Sequence, residues 1–125
     1  MRWHKRTIRA LNVTRGSVLG DTIRVADNGL TRLVGLLGES ELTSGDGLLI
    51  LPSQGVHTWG MRFAIDVLVL DNDWNAIAMR TCLRPWRMTR FFWKGAAVLE
   101  LPPGTLEKTS TSVGDAIEFS KVAVA

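Results

Sequence analysis

The sequence predicts a mainly β domain: a compact sandwich or barrel-like fold of short antiparallel strands with one short helix. Short apolar runs recur along the chain and are separated by Gly, Pro and Asp turn signals. Only one apolar run has the spacing of a helix. The length of 125 residues and the hydrophobic content of 46% are typical of one globular domain with a real core.

The first half of the chain is predicted to contain a β-hairpin, the helix and a buried strand. Apolar positions alternate on either side of Gly20 and Asp21, which together are a turn signal. Residues 30–37 have apolar side chains at i, i+3, i+4 and i+7, which predicts a helix ending at Gly38. After a polar loop, the apolar run over residues 47–52 predicts a buried strand that ends at a proline.

The longest strand is predicted over residues 57–71, where apolar and polar side chains alternate. One face of this strand is nearly all apolar, so we expect Trp59, Met61, Phe63 and Ile65 in the core. The polar residues of the opposite face are Thr58, Arg62 and Asp66.

The rest of the chain is predicted to add three strands and one helical turn. The composition of residues 71–75 predicts a turn, so strand 76–83 is expected to form a hairpin with the strand before it. Another strand is predicted over residues 96–101, Thr105 is a candidate cap for one helical turn, and the last strand covers residues 116–119.

Charge and composition limit the location and the partners of the protein. The formal net charge is +3, but residues 1–15 and 74–99 carry basic residues and no acid, an asymmetry that can mark an anionic partner. We therefore divide the chain into a basic arm (1–9), one domain (10–119) and a tail (120–125). Neither a signal peptide nor a membrane-spanning run is found, and Cys82 is the only cysteine. A soluble, cytoplasmic, basic protein is expected.

The central segment resembles the signature of the domain-of-unknown-function 192 family, in its His-Thr-aromatic-Gly-Met-Arg-Phe-Pro-Ile-Asp form. Here the run reads His57-Thr-Trp-Gly-Met-Arg-Phe-Ala-Ile-Asp66, with Ala64 where the family usually has proline. Seven further motifs are similar to that family in the same order: Leu11-Asn-Val-Thr-Arg-Gly16, Ala26-Asp27, Arg32-Leu-Val-Gly-Leu-Leu-Gly38, Gly45-Asp-Gly47-Leu-Leu, Leu83-Arg-Pro-Trp-Arg87, Val98-Leu-Glu-Leu-Pro-Pro-Gly104 and Val113-Gly-Asp115. The resemblance covers about residues 10–119 and implies a β-rich fold of bacterial or archaeal type, but no activity.

The polar residues of the central segment are the first candidates for a binding site. Arg62 and Asp66 either hold a ligand between them or serve the fold, with Asp66 accepting hydrogen bonds from a neighbouring loop. Thr58, His57 and Glu100 complete the candidate ligand-binding set. A general base needs a partner within hydrogen-bond reach, and no nucleophile can be placed beside His57 from the sequence.

No metal site or cofactor motif is present in the sequence. Asp71, Asp73 and Asn75 imitate the start of a calcium loop, but Ala76 and Cys82 stand where that loop needs its glycine and its last carboxylate. The two histidines and one cysteine lack zinc-ligand spacing, and no phosphate-binding glycine loop occurs. We therefore predict no bound metal and no cofactor.

The segment 84–94 combines basic and aromatic residues, and Arg84, Trp86, Arg87 and Arg90 are its surface candidates. It can bind single-stranded nucleic acid by stacking and phosphate pairing, or it can be a loop whose rings anchor it to the sheet. We expect the anchored loop.

The favoured function is a binding module for a small polar or anionic ligand, or for a protein partner. Two alternatives remain open: a weak nucleic-acid or anionic-surface binder that uses the basic segments, and a hydrolase-like enzyme that uses Asp66, Glu100 or His57. Because no nucleophile, metal or cofactor is specified, the sequence favours binding over catalysis. It leaves the ligand and the oligomeric state open.

Overall fold

Seven strands form one curled, mixed sheet, a half-barrel, in a computed structural model that describes residues 7–26 and 41–122. The strand order is β5-β4-β6-β3-β2-β1-β7. The elements are β1 (Thr7–Asn12), β2 (Ser17–Ala26), β3 (Asp46–Ile50), β4 (Ile65–Leu70), β5 (Ala76–Leu83), β6 (Ala97–Leu101), α1 (Thr105–Lys108) and β7 (Ile117–Lys121). The mainly β fold class with a short helix is confirmed.

The sheet is antiparallel except between β2 and β3, which run parallel. The all-antiparallel expectation is therefore wrong at this pair. Parallel neighbours need a crossover connection rather than a tight turn, and 19 residues separate β2 from β3 in the sequence. The two outer strands approach each other at one end, where Asn75 forms a β-bridge with Ala116 and the Ile117 N–H donates to the Trp74 carbonyl at 2.9 Å.

The first hairpin turns at residues 13–16, with Gly16 at φ 71°, and not at Gly20 and Asp21. Gly20 lies inside β2, where a Cβ would stand 2.7 Å from the carbonyl oxygen of Gly45. A side chain at that position would push the 42–45 segment away. The glycine therefore serves a close approach between two backbones, which has the same sequence signal as a turn.

The predicted strand over residues 57–71 is wrong in its first half. Only Ile65–Leu70 form β4, and the residues before it run through turns and bends. Met61 and Ile65 are buried as expected and Phe63 is partly buried, but Trp59 is half exposed. In contrast, β5 has the predicted bounds and pairs with β4, and a helical turn, α1, lies in the predicted place. The predicted Thr105 cap is wrong, because Thr105 is the first residue of α1 and Gly104 stands at the N-cap. The predicted helix over 30–37 lies outside the described residues.

The core lies on both faces of the two central strands, β4 and β6, all of whose residues are buried. One face carries Leu68, Leu70, Leu99 and Leu101, with Leu106 of α1 packed against them. The opposite face includes Val67, Val69, Val98 and Leu48. Strands covered on both sides read as continuous apolar runs, which explains why the alternation expected for residues 57–71 did not continue through β4.

The described ends of the chain continue the sheet. Strand β1 begins at Thr7, inside the segment predicted as an arm, and β7 extends to Lys121 in the predicted tail. The division into arm, domain and tail stays a prediction. Among the described residues, no helix is long and apolar enough to cross a membrane, and a cytoplasmic location stays a prediction.

Candidate functional site

Two loops run side by side from one end of the sheet to the other: the first loop, residues 51–64, joins β3 to β4, and the second loop, residues 84–96, joins β5 to β6. Backbone hydrogen bonds tie them together. The Phe92 N–H donates to the Gln54 carbonyl at 2.8 Å and the Thr89 N–H to the Val56 carbonyl at 2.9 Å. His57 forms an antiparallel bridge with Met88. The two loops therefore form one connected structure.

Thr58, one of the predicted ligand-binding residues, holds the two loops together instead. Its side chain is buried, and its hydroxyl donates to the Arg84 carbonyl at 2.6 Å and accepts from the Arg87 N–H at 2.9 Å. Its backbone carbonyl accepts from the Trp86 N–H at 3.1 Å. These bonds fix the turn of the second loop, so the buried hydroxyl of Thr58 is engaged within the fold.

Gly55 makes the close approach of the loops possible. A Cβ at this position would stand 2.8 Å from the Thr89 hydroxyl oxygen and 2.9 Å from the Arg90 carbonyl oxygen. Both distances are shorter than packed atoms tolerate, so a larger residue would separate the loops.

Large apolar side chains, two of them indole rings, are exposed on the outside of the paired loops. Trp59 is 50% exposed, Trp86 66% and Met88 60%, while the rings of His57 and Trp59 lie 4.9 Å apart. Trp86 has φ 63°, a left-handed conformation that costs a bulky residue energy and persists only where the surroundings impose it. The fold therefore accepts backbone strain at a position whose ring remains in solvent.

Four exposed arginines lie on the same two loops as these rings. Arg62, Arg84, Arg87 and Arg90 are all exposed, and none of them forms an ion pair with any residue that the structure describes. Neither residues 47–65 nor residues 74–99 contain an acid. We use the name aromatic–basic surface for eight exposed residues of the two loops: His57, Trp59, Arg62, Arg84, Trp86, Arg87, Met88 and Arg90.

The expectation that the rings of the second loop anchor it to the sheet is wrong for most of them. Only Phe92 packs against the core, with the Arg90 guanidinium 5.0 Å from its ring centre. Trp86, Phe91 and Trp93 are exposed. The loop is held by the backbone bonds to the first loop, which leaves these rings outside.

Asp66 lies in the interior and is fully buried. Its carboxylate accepts hydrogen bonds from the N–H groups of Cys82 at 2.9 Å, Gly104 at 3.1 Å and Leu106 at 3.0 Å. These bonds join β4 to the end of β5 and to the start of α1. The geometry matches the structural alternative for Asp66, and we leave it out of the proposed site, whereas the exposed Arg62 stays in it.

Glu100 is the second buried carboxyl of the candidate set. It faces Leu48 and Val67 on the neighbouring strands and is 4% exposed. No ion pair reaches its side chain from any described residue. Burial raises the pKa of Glu100 from 4.5 to about 8, so the group is mostly protonated at neutral pH.

The three groups considered for a hydrolase-like enzyme do not come together. Asp66 pairs with Leu101 and Glu100 with Val67, so the two carboxyls point to opposite faces of adjacent strands. His57 is exposed, and its Nδ1 accepts from the Trp59 N–H at 3.3 Å. Cys82, also exposed, contributes its backbone N–H to Asp66. In the described part of the chain, no cluster of three or more His, Cys, Asp or Glu residues could hold a metal ion.

Two cavities lie away from the aromatic–basic surface. One, of about 560 Å³, is lined by residues that include Gly20, Ser44 and Lys108. The other, of about 400 Å³, lies against Leu51 and Trp74. None of the candidate site residues lines either cavity.

Sequence reasoning missed two parts of this surface, the exposure of Trp59 and the participation of Met88. Trp59 was assigned to the core by continuing the alternation of residues 57–71. Gly60, which adopts φ 82°, directly follows Trp59 and is the sequence signal that could have predicted a turn there.

Comparison with known proteins identifies one uncharacterised family and two solved structures of the same fold. The model of the DUF192 family, described as an uncharacterised conserved group, matches residues 10–119. A UPF0127 protein of Pyrococcus furiosus is 32% identical over 115 residues, covering 90% of this chain and 98% of the relative.

Two solved structures share the fold. A protein of unknown function from Novosphingobium aromaticivorans superposes with a TM-score of 0.76 at 18% identity, covering 89% of this chain and 82% of the other. A proposed transcription regulator from Sinorhizobium meliloti gives a TM-score of 0.74 at 21% identity, covering 90% and 91%. At these identities the likeness concerns the fold alone.

Proposed function

The chain belongs to the DUF192 family, and we propose that it is a binding module for an anionic partner, which it holds on the aromatic–basic surface. One observation carries the proposal: the paired loops expose rings and guanidinium groups together, and neither loop contains an acid. A surface that served only solubility would not need rings, and a hydrophobic association surface would not need unpaired arginines.

The arginines favour a partner with phosphate or carboxylate groups. A guanidinium offers planar donors that match two oxygens of such a group. Because no counter-charge lies in these loops, the positive potentials of Arg62, Arg84, Arg87 and Arg90 add. An anionic partner therefore gains contacts without first breaking ion pairs within the described protein.

The shape of the region favours an extended partner over an enclosed one. The rings and arginines are distributed along the outside of both loops. We therefore favour a ligand that lies across the loops, and Asp66 and Glu100, both buried, take no part in binding it.

A charge-matched pair of variants tests this proposal with inorganic polyphosphate, a polyanion without rings. The double variant Arg84→Ala/Arg87→Ala removes two charges from the aromatic–basic surface, while Arg9→Ala/Lys121→Ala removes two exposed charges from β1 and β7. Titration at low salt is expected to show an affinity loss of about tenfold for the first variant and little change for the second. Equal losses, or no binding of polyphosphate by the wild-type protein, would contradict the proposal.

A further inference from the structure

We infer, on the basis of the proposed binding function, that the partner is a single-stranded nucleic acid whose bases stack on Trp59 and Trp86 while its phosphates meet the adjacent arginines. Each nucleotide carries one flat apolar face and one negative charge. The aromatic–basic surface offers the matching pair of groups, exposed rings and exposed guanidiniums, on two connected loops. Stacking on aromatic side chains combined with phosphate pairing is how proteins hold single strands without reading their sequence.

The order of residues along the second loop argues against a lipid surface. Arg87 stands between Trp86 and Met88, and Arg90 directly precedes Phe91. Insertion of these rings into a bilayer would carry the intervening guanidiniums towards the apolar region, where a charged side chain is strongly unfavourable. With a nucleic acid, the same alternation is favourable because bases and phosphates alternate as well.

Exposure of the ring faces argues for a single strand rather than a duplex. Trp59 is 50% and Trp86 66% exposed in the folded chain, so a base can reach them without rearrangement of the protein. Bases in a duplex are stacked on each other and offer no free face, whereas unpaired bases can be splayed onto side chains.

The rings are also held in place before a ligand arrives. Thr58 bonds to the backbone around Trp86, and its neighbour Trp59 lies against His57 with the ring centres 4.9 Å apart. The left-handed backbone of Trp86, with φ 63°, directs a large ring out of the turn at an energetic cost. Because these rings are already ordered in the free protein, binding costs little further side-chain conformational entropy, which raises the affinity for a flat ligand.

The experiment compares a short oligothymidylate with an abasic oligonucleotide of equal length, a duplex of equal length and inorganic polyphosphate. The wild-type protein is expected to bind oligothymidylate more tightly than the other three. Trp59→Ala and Trp86→Ala should each weaken oligothymidylate binding about 5- to 100-fold while leaving polyphosphate binding unchanged. With two to four phosphate contacts, the log–log salt slope for the single strand should be about −1.4 to −2.8.

The outcomes separate this inference from the proposed function. If abasic and thymidylate strands bind equally and the tryptophan variants have no effect, the anionic-partner proposal stands and the single-strand inference is overturned. If vesicles containing phosphatidylserine bind while oligothymidylate does not, the partner is a lipid surface and the inference fails. If no polyanion binds, both proposals fail. Thermal unfolding of each variant checks that any loss does not come from unfolding.

Discussion

Two regions of this molecule join separate parts of the chain, and they use their charged side chains in opposite ways. In the polar corner formed by Asn12, Arg15, Ser112 and Asp115, the Asp115 carboxylate accepts from Asn12 Nδ2 at 3.0 Å, from Arg15 Nε at 3.0 Å and from the Ser112 N–H at 2.9 Å. On the aromatic–basic surface, backbone groups and Thr58 make the connection, and the arginines stay outside without ion pairs to described residues.

This difference separates groups that stabilise the fold from groups that remain free for a partner. The bond to the Arg15 side chain is the main cause of the lowered pKa of Asp115, which falls to about 2. The Asp115 carboxylate therefore forms its hydrogen bonds and its ion pair within the protein. The guanidiniums of the aromatic–basic surface form no ion pair with the described residues, although Arg90 lies over Phe92. Mutations in the two regions should therefore affect different measurements: stability in one, binding in the other.

Glu100 offers the largest expected effect, because it is a buried carboxyl without the partners that Asp115 has. The pKa of Glu100 is raised from 4.5 to about 8, so between these pH values the folded state keeps a proton that the unfolded state has lost. Rising pH therefore destabilises the wild-type protein across this window, by about 3 to 5 kcal/mol. Glu100→Gln should remove this dependence in urea unfolding followed from acid to mildly alkaline pH. A wild-type curve as flat as that of the variant would show that Glu100 is not buried in an apolar site.

Asp66 is the next test, because it is the buried carboxyl whose partners are all backbone amides. Asp66→Asn keeps the size but loses the charge and one acceptor, while the N–H groups of Cys82, Gly104 and Leu106 still need partners. We expect a loss of about 2 to 4 kcal/mol in the free energy of unfolding at neutral pH. A loss below about 1 kcal/mol, within the range of ordinary surface changes, would return Asp66 to the list of binding candidates.

Arg15→Ala probes the polar corner itself and should cost about 1 kcal/mol at neutral pH, because the side chain of Arg15 is partly exposed and water screens the pair. The pKa of Asp115 is lowered from 3.8 to about 2. The stabilisation that its ionised carboxylate gives the folded state is therefore complete above pH 3.8 and is lost as the pH falls from 3.8 to about 2. The difference between wild type and variant should therefore shrink in acid unfolding. A difference that grows as pH falls would contradict the assignment.

Trp86→Gly should produce the smallest change in stability. Glycine adopts φ 63° without strain, so the substitution relieves backbone strain in the folded state. This stabilisation offsets the larger conformational entropy that glycine gives to the unfolded chain. Since the ring is mostly exposed, the free energy of unfolding should stay within about 0.5 kcal/mol of the wild-type value. A loss above about 1.5 kcal/mol would mean that the ring supports the fold, which would remove the contrast between the two regions.

The sequence predicts the fold better than it predicts the site, and particular residues show why. The bounds of β5 and the position of α1 followed from the local turn signals around them, which need no knowledge of the rest of the chain. The parallel pairing of β2 with β3 depends on a distant connection, so no local signal announces it. Gly20 was misread because glycine marks a turn and a close backbone approach alike.

The site depends on contacts between segments far apart in sequence. Arg62 was recognised from the polar face of the central segment, and Arg84, Trp86, Arg87 and Arg90 from composition. Only tertiary structure shows that the two loops that carry them are connected. Asp66 and Glu100 could not be told apart as sequence candidates, because both are acids in apolar strands. What separates them is whether backbone amides reach the carboxyl, and that is decided by tertiary structure.

The most direct test follows the indole N–H signals of the five tryptophans by NMR, assigned with single Trp→Phe variants, during a titration with oligothymidylate. Trp59 and Trp86 lie on the aromatic–basic surface, whereas Trp74 packs against Phe119 with the ring centres 5.1 Å apart. We predict that the Trp59 and Trp86 signals shift progressively to saturation while the Trp74 signal stays in place. Unmoved Trp59 and Trp86 signals in the presence of excess oligothymidylate, or an equal shift at Trp74, would contradict the account.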